Sequence, residues 1–348
     1  GVFKASNTLK ELYCGNLPLL KEIGTEQVHR FVQLLKEDPK PRFLQFLSTL
    51  CVCNGVALAA NQRQVCRALC VDNPQLLTSV FYGAGGEIHL KAVGPNPAVD
   101  VTNYHNALVE CDPLMLAPKE LSFVYFLQLT ELYVDMAAGR NRFCIDWLMK
   151  HAKELGFRYT DLLGVLTSQQ LPTVLKSRFT YLMINLYVDR EPQELVHLTR
   201  FTRTWSLMRP SSEDMKVAPQ SDPYADFPEN KPSNGFPELK LLVVSALETF
   251  AADKHRDLYK TMLLHAVLDL LIHMLEFGIY EEKDGEGHPS ETHADFMQLT
   301  EIMPPLLGCL DDSNQMIRRS SSHHDSSSLV TPEIRLKVKC CDVLELCF

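Results

Sequence analysis

LPTVLKSRFTYLMINLYVDREPQ, residues 171–193, holds the plainest helical signal in the chain. Leu175, Phe179, Leu182, Met183 and Leu186 recur at the spacing of one apolar stripe on a helix. Pro172 stands at the start of that stripe, where a helix needs no N–H. The pattern stops at Val188-Asp189-Arg190-Glu191-Pro192, because proline disfavours the helical conformation of the residue before it. Read from the residues, this is a core helix that ends in a compact charged turn formed by Asp189, Arg190 and Pro192. The ordinary role of Asp189 and Glu191 there is to cap the turn and pair with Arg190.

The same grammar repeats outward from this stretch. Upstream, Val28, Phe31, Val32 and Leu35 form a stripe that Asp38-Pro39-Lys40-Pro41 breaks. Phe43, Leu44, Phe46, Leu47, Leu50 and Cys51 make a helix apolar over a wide arc, and Asn54-Gly55 reads as its stop. Leu121 to Met136 is apolar almost all round, the mark of a central helix, and Phe143 to Leu155 follows Gly139. Between them, Tyr82 to Lys119 loses the helical period under repeated Gly and Pro. That segment, 82–119, reads as an irregular excursion with one short hairpin around Glu87–Val93. Downstream, 209–237 is rich in Pro, Ser, Asp and Asn and reads as a mobile loop. Leu239 to Ala252 and Leu258 to Phe277 are two strong helices, and 311–330 is a flexible, serine-rich loop before a last helix. That last helix runs out in mid-pattern at Leu346-Cys347-Phe348, and the expectation is a piece of a larger protein.

Ten or more amphipathic helices with short turns and almost no strand signal describe an all-α fold, an irregular solenoid of armadillo/HEAT type. Its parts are a helical solenoid over 1–208, the loop 209–237, and continuing helical repeats over 238–348.

The totals exclude several function classes. A net charge of −9 and a pI near 5.8, with no run of five basic residues, argue against a nucleic-acid surface. The most apolar helix is interrupted by His265, Asp269 and His273, so no membrane span is expected. Eleven cysteines spread through helical patterns suggest reduced thiols. The pairs Cys51/Cys53 and Cys66/Cys70 fall inside apolar segments and read as small buried hydrophobes rather than zinc ligands.

No catalytic constellation is present. The Gly83-x-Gly85-Gly86 cluster has no helix behind it, and neither GxSxG nor HExxH occurs. Asp284, Glu286 and His288 lack the spacing of a calcium hand, and His323-His324-Asp325 lies among serines. The chain is therefore not expected to be an enzyme or to carry a cofactor. Arg318-Arg319-Ser320-Ser321 places two arginines before serines, the pattern basophilic kinases accept, so Ser320 and Ser321 are the candidate phosphorylation sites.

Several of these segments resemble the inositol trisphosphate receptors. LPTVLKSRFTYLMINLYVDREPQELV, from Leu171 to Val196, is similar to a segment of that family in which a helix ends in a VDRDPQE turn before an aromatic-rich stretch. Here the turn is VDREPQE and the closing tryptophan is Trp205. Pro41-Arg42-Phe43-Leu44, with Leu47-Ser48 and Leu50-Cys51-Val52, resembles the family's PRFLxxLSxLCV helix, and Gln62 to Ala68 its next one. Leu275 to Tyr280, LEFGIY, matches a late helical pair. Cys51 to Ala57 also resembles the related ryanodine receptors, with which the helical homology region is shared.

The resemblance implies a cytosolic signal-transmission segment of a tetrameric, ligand-gated calcium-release channel of the endoplasmic reticulum membrane. Its partners would be an upstream β-trefoil ligand-binding core, a downstream solenoid and neighbouring subunits. Neither nucleic acid nor direct membrane contact is expected, and calcium would regulate the whole channel. The family's inositol-phosphate ligands lie upstream, so none is assigned here. A cytosolic calcium site near the end of the first solenoid leaves Asp189 and Glu191 as the local metal candidates, and Lys176 stands where the family has arginine. The rival reading is a free-standing armadillo/HEAT scaffold that binds other proteins in its groove.

Overall fold

The chain is described here from a computed structural model. The structure describes residues 2–82, 88–90, 99–101, 104, 106–109, 111, 115–190, 227–233, 235–253, 257–277, 279, 302–309 and 338–344.

Prolines and capping residues set where the helices begin. In chain order they are α1 (Val2–Tyr13), α2 (Leu17–Lys21), α3 (Thr25–Glu37), α4 (Pro41–Cys51) and α5 (Ala59–Val65). Then come α6 (Pro118–Ala137), α7 (Arg142–Lys150), α8 (Ala152–Leu155), α9 (Tyr159–Thr167), α10 (Thr173–Met183), α11 (Pro237–Ala252) and α12 (Leu258–Glu276). Proline fills a first-turn position in α2, α4, α6 and α11, where its missing N–H costs nothing. The Asp257 side chain caps α12 by accepting from Lys260 N at 2.7 Å. Residues 302–309 and 338–344 are also helical.

The helices stack in a row. α4 packs on α6, α6 on α10 and α10 on α12. Flanking helices cover that row: α3 and α5 lie on α4, α7 on α6, and α9 and α11 beside α10 and α12. The core follows the row without a break, from Leu44 and Leu47 through Phe126 and Leu129 and on through Phe179 and Leu182 to Leu268 and Leu271, all buried. Aromatic edges stitch it together: Phe126 and Phe157 both meet Phe179 edge-on, and Tyr133 meets Phe157. Helices that each bury a face on the next are the all-α, solenoid-like arrangement the stripes predicted.

α12 is long and apolar enough to cross a membrane by length and composition. Here it is the neighbour of α10 and α11. Its Asp269 accepts the Tyr181 hydroxyl at 2.9 Å.

One local expectation is corrected. Asn54-Gly55 is more than a helix stop. Both residues have positive φ, +50° and +80°, the requirement of a tight two-residue hairpin turn. It joins the short strands β1 (Val52–Cys53) and β2 (Val56–Ala57), paired antiparallel. Of the hairpin expected around Glu87–Val93, only 88–90 lie among the described residues; there β4 (Ile88–Leu90) is the middle strand between β3 (Val80–Tyr82) and β5 (Val99–Asp100). Val80 pairs with Leu90 and Leu90 with Val99. Ile88 and Leu90 point into the core while His89 faces out, the period of two that a half-buried strand requires. Gly156, at φ +73°, is the seat of this sheet: a Cβ there would meet Val80 Cβ at 2.8 Å. The Tyr82 hydroxyl donates to the Gly156 carbonyl at 2.8 Å. Tyr104 stacks on Phe123, and Asn106 Oδ1 caps the α10 start by accepting from Val174 N at 3.1 Å.

Candidate functional site: polar cross-links along the helical row

α10 widens before it ends. Ile184–Val188 winds as a π-turn, closed by Asp189 N donating to Ile184 O at 2.7 Å, five residues back. The extra residue turns Asp189 toward the α6–α7 corner. There Arg140 Nε donates to Asp189 Oδ1 at 2.7 Å, and the Arg140 guanidinium lies over the Phe277 ring at 5.4 Å. Asp189 thus meets Arg140, while Glu191, the other acidic residue expected beside Arg190, lies outside the described residues. Arg190 is buried, lies over Phe227 at 5.7 Å and reaches Asp146 at 3.7 Å. The π-turn is the physical reason: it aims successive side chains at different neighbours. Phe227 belongs to 227–233, where Asn230 Nδ2 also donates to Met149 O at 3.0 Å. The charged turn thus ties together α6, α7, α10 and the end of α12.

Beneath that corner lies a neutral lock. Gln62 is fully buried; its amide donates to the carbonyls of Asp135 at 2.7 Å and Ala138 at 3.0 Å. Asn141 Nδ2 in turn donates to Gln62 Oε1 at 2.8 Å and Ala59 O at 3.2 Å. These bonds satisfy carbonyls left open where α6 ends. Gly139 makes the turn possible: its φ is +68°, and a Cβ there would lie 2.6 Å from the Ala57 Cβ.

A third set of contacts runs along the row itself. The Ser48 hydroxyl of α4 meets the Asp135 carboxyl of α6. One turn back, Glu131 accepts from Arg178 of α10 at 2.6 Å. Asn185, just past α10, donates to Val134 O at 3.0 Å. On the far side of α10, Tyr181 donates to Asp269 of α12 at 2.9 Å. Lys339, in 338–344, also bonds Asp269. Each helix of the row is therefore joined to the next by at least one polar bond, as well as by apolar packing.

Burial tunes some of these groups. Asp135 is pushed up to about 7, first by burial and then by the neighbouring Glu131, against the opposing Ser48 hydrogen bond and Arg178. Burial, then the Asp269 charge, pushes the Tyr181 phenol up. Burial alone lowers Lys176, and no carboxylate among the described residues offsets it. Cys51 and Cys70 are raised by burial. All cysteines among the described residues are free thiols, and Cys51, Cys53, Cys66 and Cys70 are buried as small hydrophobes.

The candidate residues of the sequence divide sharply. Asp189 and Arg190 are placed as above; Glu191, Pro192, Trp205, Ser320 and Ser321 lie outside the described residues. Among the described residues no three His, Cys, Asp or Glu side chains gather as a metal site. A cation at Asp189 would compete with Arg140. The cross-links went unread because each is one polar residue inside an apolar helix. The one available signal was Asp269, which interrupts an otherwise apolar run.

Residues 3–80, from α1 to the start of the sheet, match the family model of the RIH domain. The chain is 29% identical over 193 residues to inositol 1,4,5-trisphosphate receptor-like protein A of Dictyostelium discoideum, which is 54% of this chain and 5% of that protein. It is 23% identical over 291 residues to inositol 1,4,5-trisphosphate receptor itr-1 of Caenorhabditis elegans, which is 80% of this chain and 10% of that protein. The chain thus spans a small part of the length of the relatives it matches. Residues 3–80 thus resemble an RIH domain, and the wider chain is similar to inositol 1,4,5-trisphosphate receptors.

Proposed function

We propose that this region is a cytosolic signal-transmission segment of a ligand-gated intracellular calcium-release channel. Inositol trisphosphate binds upstream, and the helical row carries the resulting shift toward the pore. The observation that carries the reading is the continuous set of polar bonds from Ser48 to Lys339 along a packed row. Packed, cross-linked helices move as units, so a displacement at one end is delivered at the other. The similarity to receptor proteins supports a role as part of a channel.

The reading places the segment on the cytosolic side of the endoplasmic reticulum membrane, in a homotetramer. Its neighbours there are a β-trefoil ligand-binding core, a second solenoid and adjoining subunits. No cofactor is needed, and calcium acts on the whole channel. Ser320 and Ser321 are proposed as phosphorylation sites, to be checked by mass spectrometry after treatment with a basophilic kinase.

The test uses the full-length receptor in microsomes. Arg178→Gln and Tyr181→Phe weaken two cross-links far from any inositol-phosphate pocket. Calcium release should need more inositol trisphosphate, about tenfold for a coupling loss on the order of 1–1.5 kcal/mol, while ligand binding is unchanged. Release and binding both at wild-type levels would refute the relay.

A further inference from the structure

The α4–α6 crossing differs from the other cross-links of the row. Its carboxyl lies on the wall of a cleft of about 180 Å³ between α1, α4 and α6, lined among others by Lys10, Asn54, Glu131 and Asp135. The groups around Asp135 come from every element packed there. α1 and the turn after it supply Lys10 and Cys14 at the cleft wall. α4 supplies the Ser48 hydroxyl and the buried Cys51 thiol, which the Asp135 charge helps to push up. α6 supplies Glu131, and α10 supplies Arg178, whose guanidinium goes to Glu131 at 2.6 Å. The Asp135 carboxyl itself accepts from a neutral hydroxyl, that of Ser48. The backbone carbonyl of the same residue is held by the Gln62 amide at 2.7 Å, which fixes the stretch of α6 that carries the carboxyl.

We infer that the α4–α6 crossing is a proton-operated joint: uptake of a proton by Asp135 tightens the cleft between α1, α4 and α6, and its loss loosens it. The neutral acid exchanges a hydrogen bond with Ser48 and sits in the low-dielectric wall without penalty. The carboxylate keeps one neutral donor and takes its remaining solvation from the cleft, whose wall also carries Lys10.

The direction follows from linkage. The folded carboxyl titrates at about 7, above the ordinary value of 3.8. Proton binding therefore favours the closed joint on the acid side, and that stabilisation is lost as pH rises through the folded value. The inference concerns the joint alone and stands whether or not the region serves as a relay.

Hydrogen exchange read by mass spectrometry on the full chain at pH 6 and pH 8, corrected for intrinsic rates, tests it. Protection of α4 and the middle of α6 should be about tenfold lower at pH 8, the ratio linkage gives for an opening that restores an ordinary carboxyl. Asp135→Asn, isosteric and uncharged, should show equal protection at both pH values. The ¹³C carboxyl shift of Asp135 in the wild-type chain, which depends on no variant folding, should titrate near neutrality. Equal wild-type protection at the two pH values, the same change in Asp135→Asn, or a carboxyl titrating in the ordinary acidic range would each overturn the joint.

Discussion

The α4–α6 and α10–α12 crossings each place one aspartate in a largely apolar helix and give it different company. Asp269 holds both the Tyr181 hydroxyl and the Lys339 ammonium. Asp135 holds the Ser48 hydroxyl, while the nearest guanidinium, Arg178, is spent on Glu131. A counter-charge offsets the cost of taking a carboxylate partly out of water; a neutral partner leaves that charge costly and the contact dependent on protons. The same residue type thus makes a permanent tie at one end of the row and a conditional one at the other.

The largest test removes the lock beside the conditional joint. Gln62→Leu leaves the carbonyls of Asp135 and Ala138 without this donor and takes from the Asn141 amide one of its two acceptors. The cost should be about 3–4 kcal/mol, seen as a lower denaturation midpoint. Asp269→Ala should cost about 2 kcal/mol, by stranding Tyr181 and a Lys339 that is itself partly exposed. A cost no larger than that of an exposed pair would erase the contrast between the two crossings. Asp135→Asn should do the opposite of Asp269→Ala. It should stabilise the chain by about 1–2 kcal/mol at pH 8, where the half-buried carboxylate is charged, with the gain shrinking as pH falls below 7. Thermal melts across that range measure it. The smallest effect belongs to the corner pair, whose arginine is 39% exposed. Asp189→Asn should cost about 0.5 kcal/mol and less in high salt.

The helices were legible because proline and glycine punctuate apolar stripes of helical period. Pro41, Pro118 and Pro237 open α4, α6 and α11 where the stripes begin. The strands were not, since three residues such as Ile88–Leu90 are too few for a period of two to stand out, and their partners lie ten residues away. Asn54-Gly55 carried a hairpin signal that the end of α4 masked. The cross-links were hidden for a different reason. Asp135 lies in a helix apolar almost all round, and nothing local says that Ser48, 87 residues earlier, will face it. Tertiary pairing of single polar residues leaves no period to read.

The claim on which the rest depends is that the row moves as one body. Hydrogen exchange on the chain carrying Tyr181→Phe tests it directly, because that change removes one hydroxyl between α10 and α12 and nothing else. Protection should fall in α10 and α12 and also, by a smaller factor, in α4 at the other end of the row. A loss confined to α10 and α12, with α4 at its wild-type protection, would contradict the account.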